Sequence, residues 1–122
     1  MKKGDKVLDN RAIGVFDSGL GGLTGVQRLY ELLPNESIVY FGDTGRVPYG
    51  TRSRETIRKY ALEDETFLLK QNVKLIVAAC GTVSSVASDI GKTLPVPYFE
   101  VVSHASYAAV KATKNGKIAV IH

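Results

Sequence analysis

Short apolar runs alternate along this chain with longer stretches of helical period. Ala12–Phe16 reads as a strand that closes on the turn-rich Asp17-Ser18-Gly19 and Gly21-Gly22. Leu23, Val26, Leu29, Tyr30 and Leu33 then recur at the spacing of one helix face, until Pro34 stops it. Ser37–Phe41 predicts a second strand, followed by the loop Gly42–Thr51, which holds Pro48. Ser53 suits the N-cap of a long helix in which Ile57, Tyr60, Ala61, Phe67 and Leu68 share a face. Lys74–Ala79 is the strongest strand signal, an apolar run suited to the centre of a sheet covered on both faces. It ends at Cys80-Gly81-Thr82, from which a helix is expected to run to about Lys92. Pro97–Val102, Ser106–Thr113 and Lys117–Ile121 complete the pattern as strand, helix and strand.

Strands alternating with helices predict an α/β fold, with a doubly wound, mainly parallel sheet and helices on both faces. Ligands of such sheets sit beyond the carboxyl ends of the strands. That singles out the loops Asp17–Gly22, Gly42–Gly50 and Cys80–Ser85. Lys117–Ile121 reads as a buried strand with only His122 behind it, so the pattern is expected to be cut from a longer one.

Composition narrows the function classes. At 122 residues and 44% hydrophobic content the chain suits one ordinary core, without repeats or low-complexity tracts. The net charge of +4 gathers at Lys2, Lys3 and Lys6 and at Arg46, Arg52, Arg54 and Arg58. Glu63, Asp64 and Glu65 follow the arginines and dilute the field, so the reading is a mixed solvated surface and not a nucleic-acid face. A single cysteine, Cys80, excludes an internal disulfide framework and a multi-cysteine zinc site. The basic start is interrupted by Gly4, Asp5 and Asp9, unlike a signal peptide, and the apolar stretch Leu75–Cys80 is far too short to span a bilayer. A soluble cytoplasmic protein is expected, with no membrane or nucleic-acid partner.

Three loops carry candidate chemistry. Cys80 stands where a strand gives way to a helix start, and free N–H groups there favour a thiolate. By position alone, a cysteine at the end of an apolar run is more often a small buried hydrophobe. The Asp17–Gly22 turn lets the backbone approach a ligand, yet it lacks the spacing of a dinucleotide site or a P-loop, and Asp17 or Ser18 could equally be a helix cap. In the Gly42–Gly50 loop, Tyr49 offers a phenol and Arg46 a cation to an acidic substrate, though each alone reads as a surface residue. His104 reads as polar packing near the fourth strand.

Taken together, these loops resemble the glutamate racemase family. Phe16-Asp17-Ser18-Gly19-Leu20-Gly21-Gly22-Leu23-Thr24 resembles its opening motif. Tyr40-Phe41-Gly42-Asp43-Thr44-Gly45-Arg46-Val47-Pro48-Tyr49-Gly50 is similar to its second block, and Val77-Ala78-Ala79-Cys80-Gly81-Thr82 to its first catalytic-cysteine block. The resemblance implies two-base inversion of glutamate at its α-carbon, without pyridoxal phosphate or metal, supplying D-glutamate for peptidoglycan. It implies Cys80 as one acid/base and Asp17 as its assistant. Ser18, Pro48, Tyr49, Gly50, Gly81 and Thr82 would line the substrate site. It further implies the first lobe of a two-lobed, pseudo-symmetric fold, with residues 1–102 in that lobe, residues 103–122 opening the second, and a homodimer as a possible assembly.

Two positions depart from the family pattern. Gly81 stands where the family usually has Asn, and Ser103-His104 where it commonly has Glu-Pro. The second cysteine of the family falls beyond residue 122, so this chain is expected to hold one catalytic half and to be inactive alone. The other reading is a truncated, non-catalytic paralogue that binds an acidic ligand or a partner.

Overall fold

A computed structural model describes residues 8–120. Four strands, β1 (Ile13–Asp17), β2 (Ile38–Gly42), β3 (Leu75–Ala78) and β4 (Tyr98–Glu100), form one sheet in the order β2-β1-β3-β4. Every pairing is parallel: Val15 lies opposite Tyr40 on one side and Val77 on the other, and Val77 lies opposite Phe99. Helices α1 (Leu23–Leu32), α2 (Arg54–Lys70), α3 (Gly81–Val86) and α4 (Val101–Ala112) alternate with the strands. This is the parallel α/β architecture that the periodicity predicts.

Strand alternation sends side chains to two cores. Ile13 and Val15 pack with Val26 of α1, joined by Ile38, Tyr40, Leu75 and Val77. On the opposite face, Phe16, Ile76, Ala78 and Cys80 pack against Ile57, Ala61 and Leu68 of α2 and Val83 of α3. Gly14 permits the close approach of α2, because a Cβ there would stand 3.1 Å from Val73 Cγ1 and 3.3 Å from Leu68 Cδ1. All five residues of β1 are buried, as befits a strand with neighbours on both edges and helices on both faces.

Local chemistry sets the ends of α2. The Ser53 side chain accepts from the Thr56 N–H at 3.2 Å, which is the expected N-cap. At the other end, Asn72 adopts a left-handed φ of 56° just past the Gln71 cap, a conformation that asparagine tolerates well.

Three expectations need correction. The helix expected to run from Cys80 to about Lys92 is broken: α3 ends at Val86 and the chain tightens into a 3₁₀ segment over Ser88–Thr93. There Gly91 lies flush against the Tyr98 ring, leaving no room for a Cβ. The strand expected over Pro97–Val102 stops at Glu100, and the helix expected at Ser106 starts at Val101. The cause is Glu100, whose carboxylate caps α4 by accepting from the N–H groups of Val102 at 2.7 Å and Ser103 at 3.0 Å. Finally, residues 117–120 of the expected fifth strand join no ladder among the described residues, and Ile118 and Val120 are exposed. The turn before them is closed by Asn115, which accepts from Lys117 N at 3.0 Å, and by Gly116 at a φ of 70°. Lys2, Lys3, Lys6, Ile121 and His122 lie outside the described residues. The boundary expected between 102 and 103 falls inside α4.

Candidate functional site

The sheet has one point where its winding reverses. From β1 the chain passes through α1 to β2 on one side, then through α2 to β3 on the other. In open parallel sheets ligands bind beyond the carboxyl ends of two strands whose connections lead away in opposite directions. Here the strands are β1, which runs out at Asp17-Ser18, and β3, which gives way to Cys80-Gly81-Thr82. The Ala79 N–H donates to Phe16 O at 2.9 Å, which carries the pairing up to the edge of the site.

Cys80 is the N-cap of α3 and is almost fully buried. Its thiol donates to Ser18 Oγ at 3.2 Å, and its sulfur accepts from the Val83 N–H at 3.5 Å. Asp17 is also buried, and its carboxylate accepts from the Gly22 N–H at 2.6 Å, closing the glycine turn over the strand end. Gly22 is required there, since a Cβ would stand 2.9 Å from Ala79 Cβ and 3.0 Å from Asp17 Cβ. The group in direct contact with the thiol is therefore Ser18, while Asp17 holds the turn that carries Ser18.

The Gly42–Gly50 loop reaches the same edge. Its start is tied to β1 by the Asp43 N–H, which donates to Asp17 O at 2.9 Å. The Val47–Pro48 peptide is cis, and Pro48 and Gly50 are exposed on either side of a buried Tyr49. Gly50 faces α3: a Cβ there would meet Thr82 Oγ1 at 4.0 Å. Gly81 opens onto free space, with nothing within 4 Å of an added Cβ. Cys80, Ser18, Thr82 and Gly50 thus gather at one edge, with Gly81 and Pro48 on its exposed rim.

Two residues offered to a substrate by the sequence have their polar atoms committed elsewhere. The Tyr49 hydroxyl contacts the carboxylates of Asp43 and, at 2.7 Å, Asp64. Arg46 donates to Asp43 at 2.6 Å, to Asp64 at 3.0 Å and to Glu63, and its guanidinium lies 3.9 Å above the Tyr60 ring. Burial and the two carboxylates push the Tyr49 phenol well above its ordinary range, so it stays protonated. Burial raises Asp64 to about 6, against the pull of the Tyr49 and Arg46 hydrogen bonds. His104 is exposed, with Nδ1 2.8 Å from Glu100 O.

Sequence reasoning missed several supports. Tyr40 donates to Gly19 O at 3.0 Å and braces the glycine turn. Asp64 and Glu65 are both buried on α2, and their spacing from Ile57, Ala61 and Leu68 on the apolar face was the available signal. Among the described residues neither Glu65 carboxyl oxygen has a hydrogen-bond partner, and burial pushes the group up to about 7. An apolar groove of about 530 Å³, lined by Ile13, Leu29, Leu33, Leu75, Val77 and Phe99, contains none of the predicted site residues. Glu100 and His104, at the start of α4, also line it. Among the described residues, no group of three or more His, Cys, Asp or Glu is placed to hold a metal ion, and no helix is long and apolar enough to cross a membrane.

An open parallel sheet that presents one thiol, a hydroxyl partner and flanking glycine turns at its switch point defines an α/β lobe suited to acid/base chemistry on a small molecule. Known proteins that the chain is similar to narrow this class. No protein-family model matches the chain. It is 49% identical over 118 residues to the glutamate racemase of Chlorobaculum tepidum, a match covering 95% of this chain and 43% of that protein. Among solved structures, the glutamate racemase of Francisella tularensis in complex with D-glutamate matches at 49% identity and a TM-score of 0.80, over 85% of this chain and 40% of that one. The Aquifex pyrophilus glutamate racemase matches at 43% identity and a TM-score of 0.83, over 87% and 42%. The chain is similar to these glutamate racemases and spans about two-fifths of their length.

Proposed function

We propose that this chain supplies one catalytic half of a glutamate racemase, an isomerase that interconverts L- and D-glutamate. The observation that carries this reading is the Cys80 thiol, held at the switch point against Ser18 in a chain half identical to glutamate racemases. Cys80 is the acid/base on one face of the α-carbon. As thiolate it takes the α-proton, while a thiol on the opposite face delivers a proton, so one proton leaves and one arrives. A single base would tend to return the proton to the face it left, which is why inversion favours two.

In this reading Ser18, Pro48, Tyr49, Gly50, Gly81 and Thr82 line the glutamate site. The Thr82 hydroxyl and backbone N–H groups stabilise charge developing on the substrate carboxylate and α-carbon. Asp17 assists Cys80 by fixing the Asp17–Gly22 turn, through its hydrogen bond to Gly22. Residues 1–102 belong to the first lobe and residues 103–122 begin the second, whose cysteine completes the pair. The product D-glutamate serves peptidoglycan synthesis in the cytoplasm, and the complete enzyme can assemble as a homodimer.

The test joins this chain to the remaining length of the Chlorobaculum tepidum relative and compares it with the chain alone by polarimetry. Racemisation by the joined form only, abolished by Cys80→Ser, supports the reading. A folded joined form that binds glutamate without racemising it would favour a non-catalytic ligand-binding paralogue. Turnover by the chain alone at the rate of a complete racemase would refute the half-site account.

A further inference from the structure

We propose that Asp64 is a positioning residue for the substrate loop: it holds one proton against the Tyr49 hydroxyl, which Asp43 meets from the other side, and that proton sets how the loop sits beside Cys80. The link to catalysis rests on the racemase reading above, whereas the clasp itself stands on geometry. A phenol has one hydrogen, yet the Tyr49 oxygen lies against two carboxylates, Asp43 and Asp64. One contact is satisfied by the phenol. The other pairs two oxygens and needs a second proton, and the cluster's cation, Arg46, donates to the Asp43 oxygen that meets Tyr49, to the other oxygen of Asp64 and to Glu63, so it gives nothing to the Asp64 oxygen that faces the phenol. Asp64 is 1% exposed, so water cannot readily take the proton's place.

The clasp joins two rigid parts of the fold. Asp64 sits on α2, whose Ile57, Ala61 and Leu68 are locked in the core. Asp43 sits at the end of β2, with its N–H on Asp17 O. Tyr49 is held between them, and the next residue, Gly50, faces Thr82 on the helix that Cys80 caps. A change in the Tyr49 contacts is therefore passed to the loop edge at the thiol.

The groups facing Asp64 are Asp43, Arg46 and Tyr49 from the loop and Glu63 and Glu65 from α2 itself, with Tyr60 beneath Arg46 and Lys59 at the rim beside Glu63. Asp64 is raised to about 6 by burial, which puts this proton in an accessible range. Glu65, raised to about 7, titrates nearby and needs its own control.

The experiment follows amide ¹H–¹⁵N shifts of Gly45, Gly50 and Thr82 in the 122-residue chain between about pH 4.5 and 8. It needs no turnover, so it is independent of whether the racemase reading holds. The three amides should move together with one midpoint near that of Asp64. Asp64→Asn, which keeps the shape and cannot titrate, should reduce the amplitude several-fold, and Glu65→Gln should leave the midpoint in place. Tyr49→Phe, which removes the bridge and leaves both acids, provides the reading if Asp64→Asn fails to fold, and should uncouple Gly50 and Thr82 from the titration. Shifts that stay flat, a midpoint that survives Asp64→Asn or Tyr49→Phe, or one that follows Glu65→Gln would overturn the proposal.

Discussion

Glu65→Gln should flatten the fall in stability of this chain with rising pH. Glu65 is fully buried, and neither carboxyl oxygen finds a partner among the described residues. The Tyr98 hydroxyl is near enough to lower its affinity for a proton, but it too lacks a formed hydrogen bond. Burial dominates and moves the carboxyl from 4.5 to about 7. The folded state therefore holds this proton more tightly than the unfolded state. The stability that goes with it is fully present below the unfolded value of 4.5 and is lost as pH rises through about 7. Two and a half pH units at about 1.36 kcal/mol each make the loss about 3 kcal/mol. Glutamine cannot ionise, so it carries only a fixed penalty of about 1–3 kcal/mol for a buried amide with unmade hydrogen bonds. Asp64 titrates over an overlapping range and its charge adds to the rise of Glu65, so the same comparison is repeated in an Asp64→Asn background. Urea unfolding followed by circular dichroism at several pH values should show the variant gaining about 3 kcal/mol on the parent between about pH 4 and 8. Parallel stability curves would refute the reasoning and place a partner on Glu65.

Leu68→Ala, at a fully buried position in the α2-face core, should cost about 2–5 kcal/mol and leave the fold intact, read by the same unfolding curves; a loss under about 1 kcal/mol would contradict the packing described. Gly22→Ala should destabilise by about 1–3 kcal/mol, because the new Cβ meets Ala79 and Asp17 at 2.9 and 3.0 Å. Gly81→Asn, opening onto free space, should stay within about 1 kcal/mol of the parent, and thermal melts of the pair would expose an inverted order. Cys80 in the folded chain should react with iodoacetamide at least about tenfold more slowly than in urea, since it is 3% exposed; equal rates would show that its cover opens freely.

The sheet was legible because β1 and β3 carry unbroken apolar runs, and α2 announces itself with Ser53 and a regular apolar face. The site edge came from the same pattern, since a parallel sheet delivers its loops to one end. What the periodicity misread lay where a side chain overrides local preference. Glu100 caps α4 and turns two β-branched valines into its first turn, and Gly91 packs under Tyr98 where a continuous helix was expected. Lys117–Val120 has the composition of a strand without a ladder to join among the described residues, and composition does not encode a neighbour. The uses of Tyr49 and Arg46 were hidden for another reason: their partner Asp64 lies fifteen or more residues away and meets them only through the fold.

The central claim is that Cys80 works on one face of the α-carbon and a second thiol on the other. The direct test is racemisation of L-glutamate in D₂O by the joined form, with mass analysis of recovered substrate and product at early times. The account predicts that D-glutamate carries one deuterium at the α-carbon, that recovered L-glutamate carries essentially none, and that Cys80→Ser removes both turnover and label. Equal labelling of both isomers from the start, or full activity in the Cys80→Ser form, would contradict it.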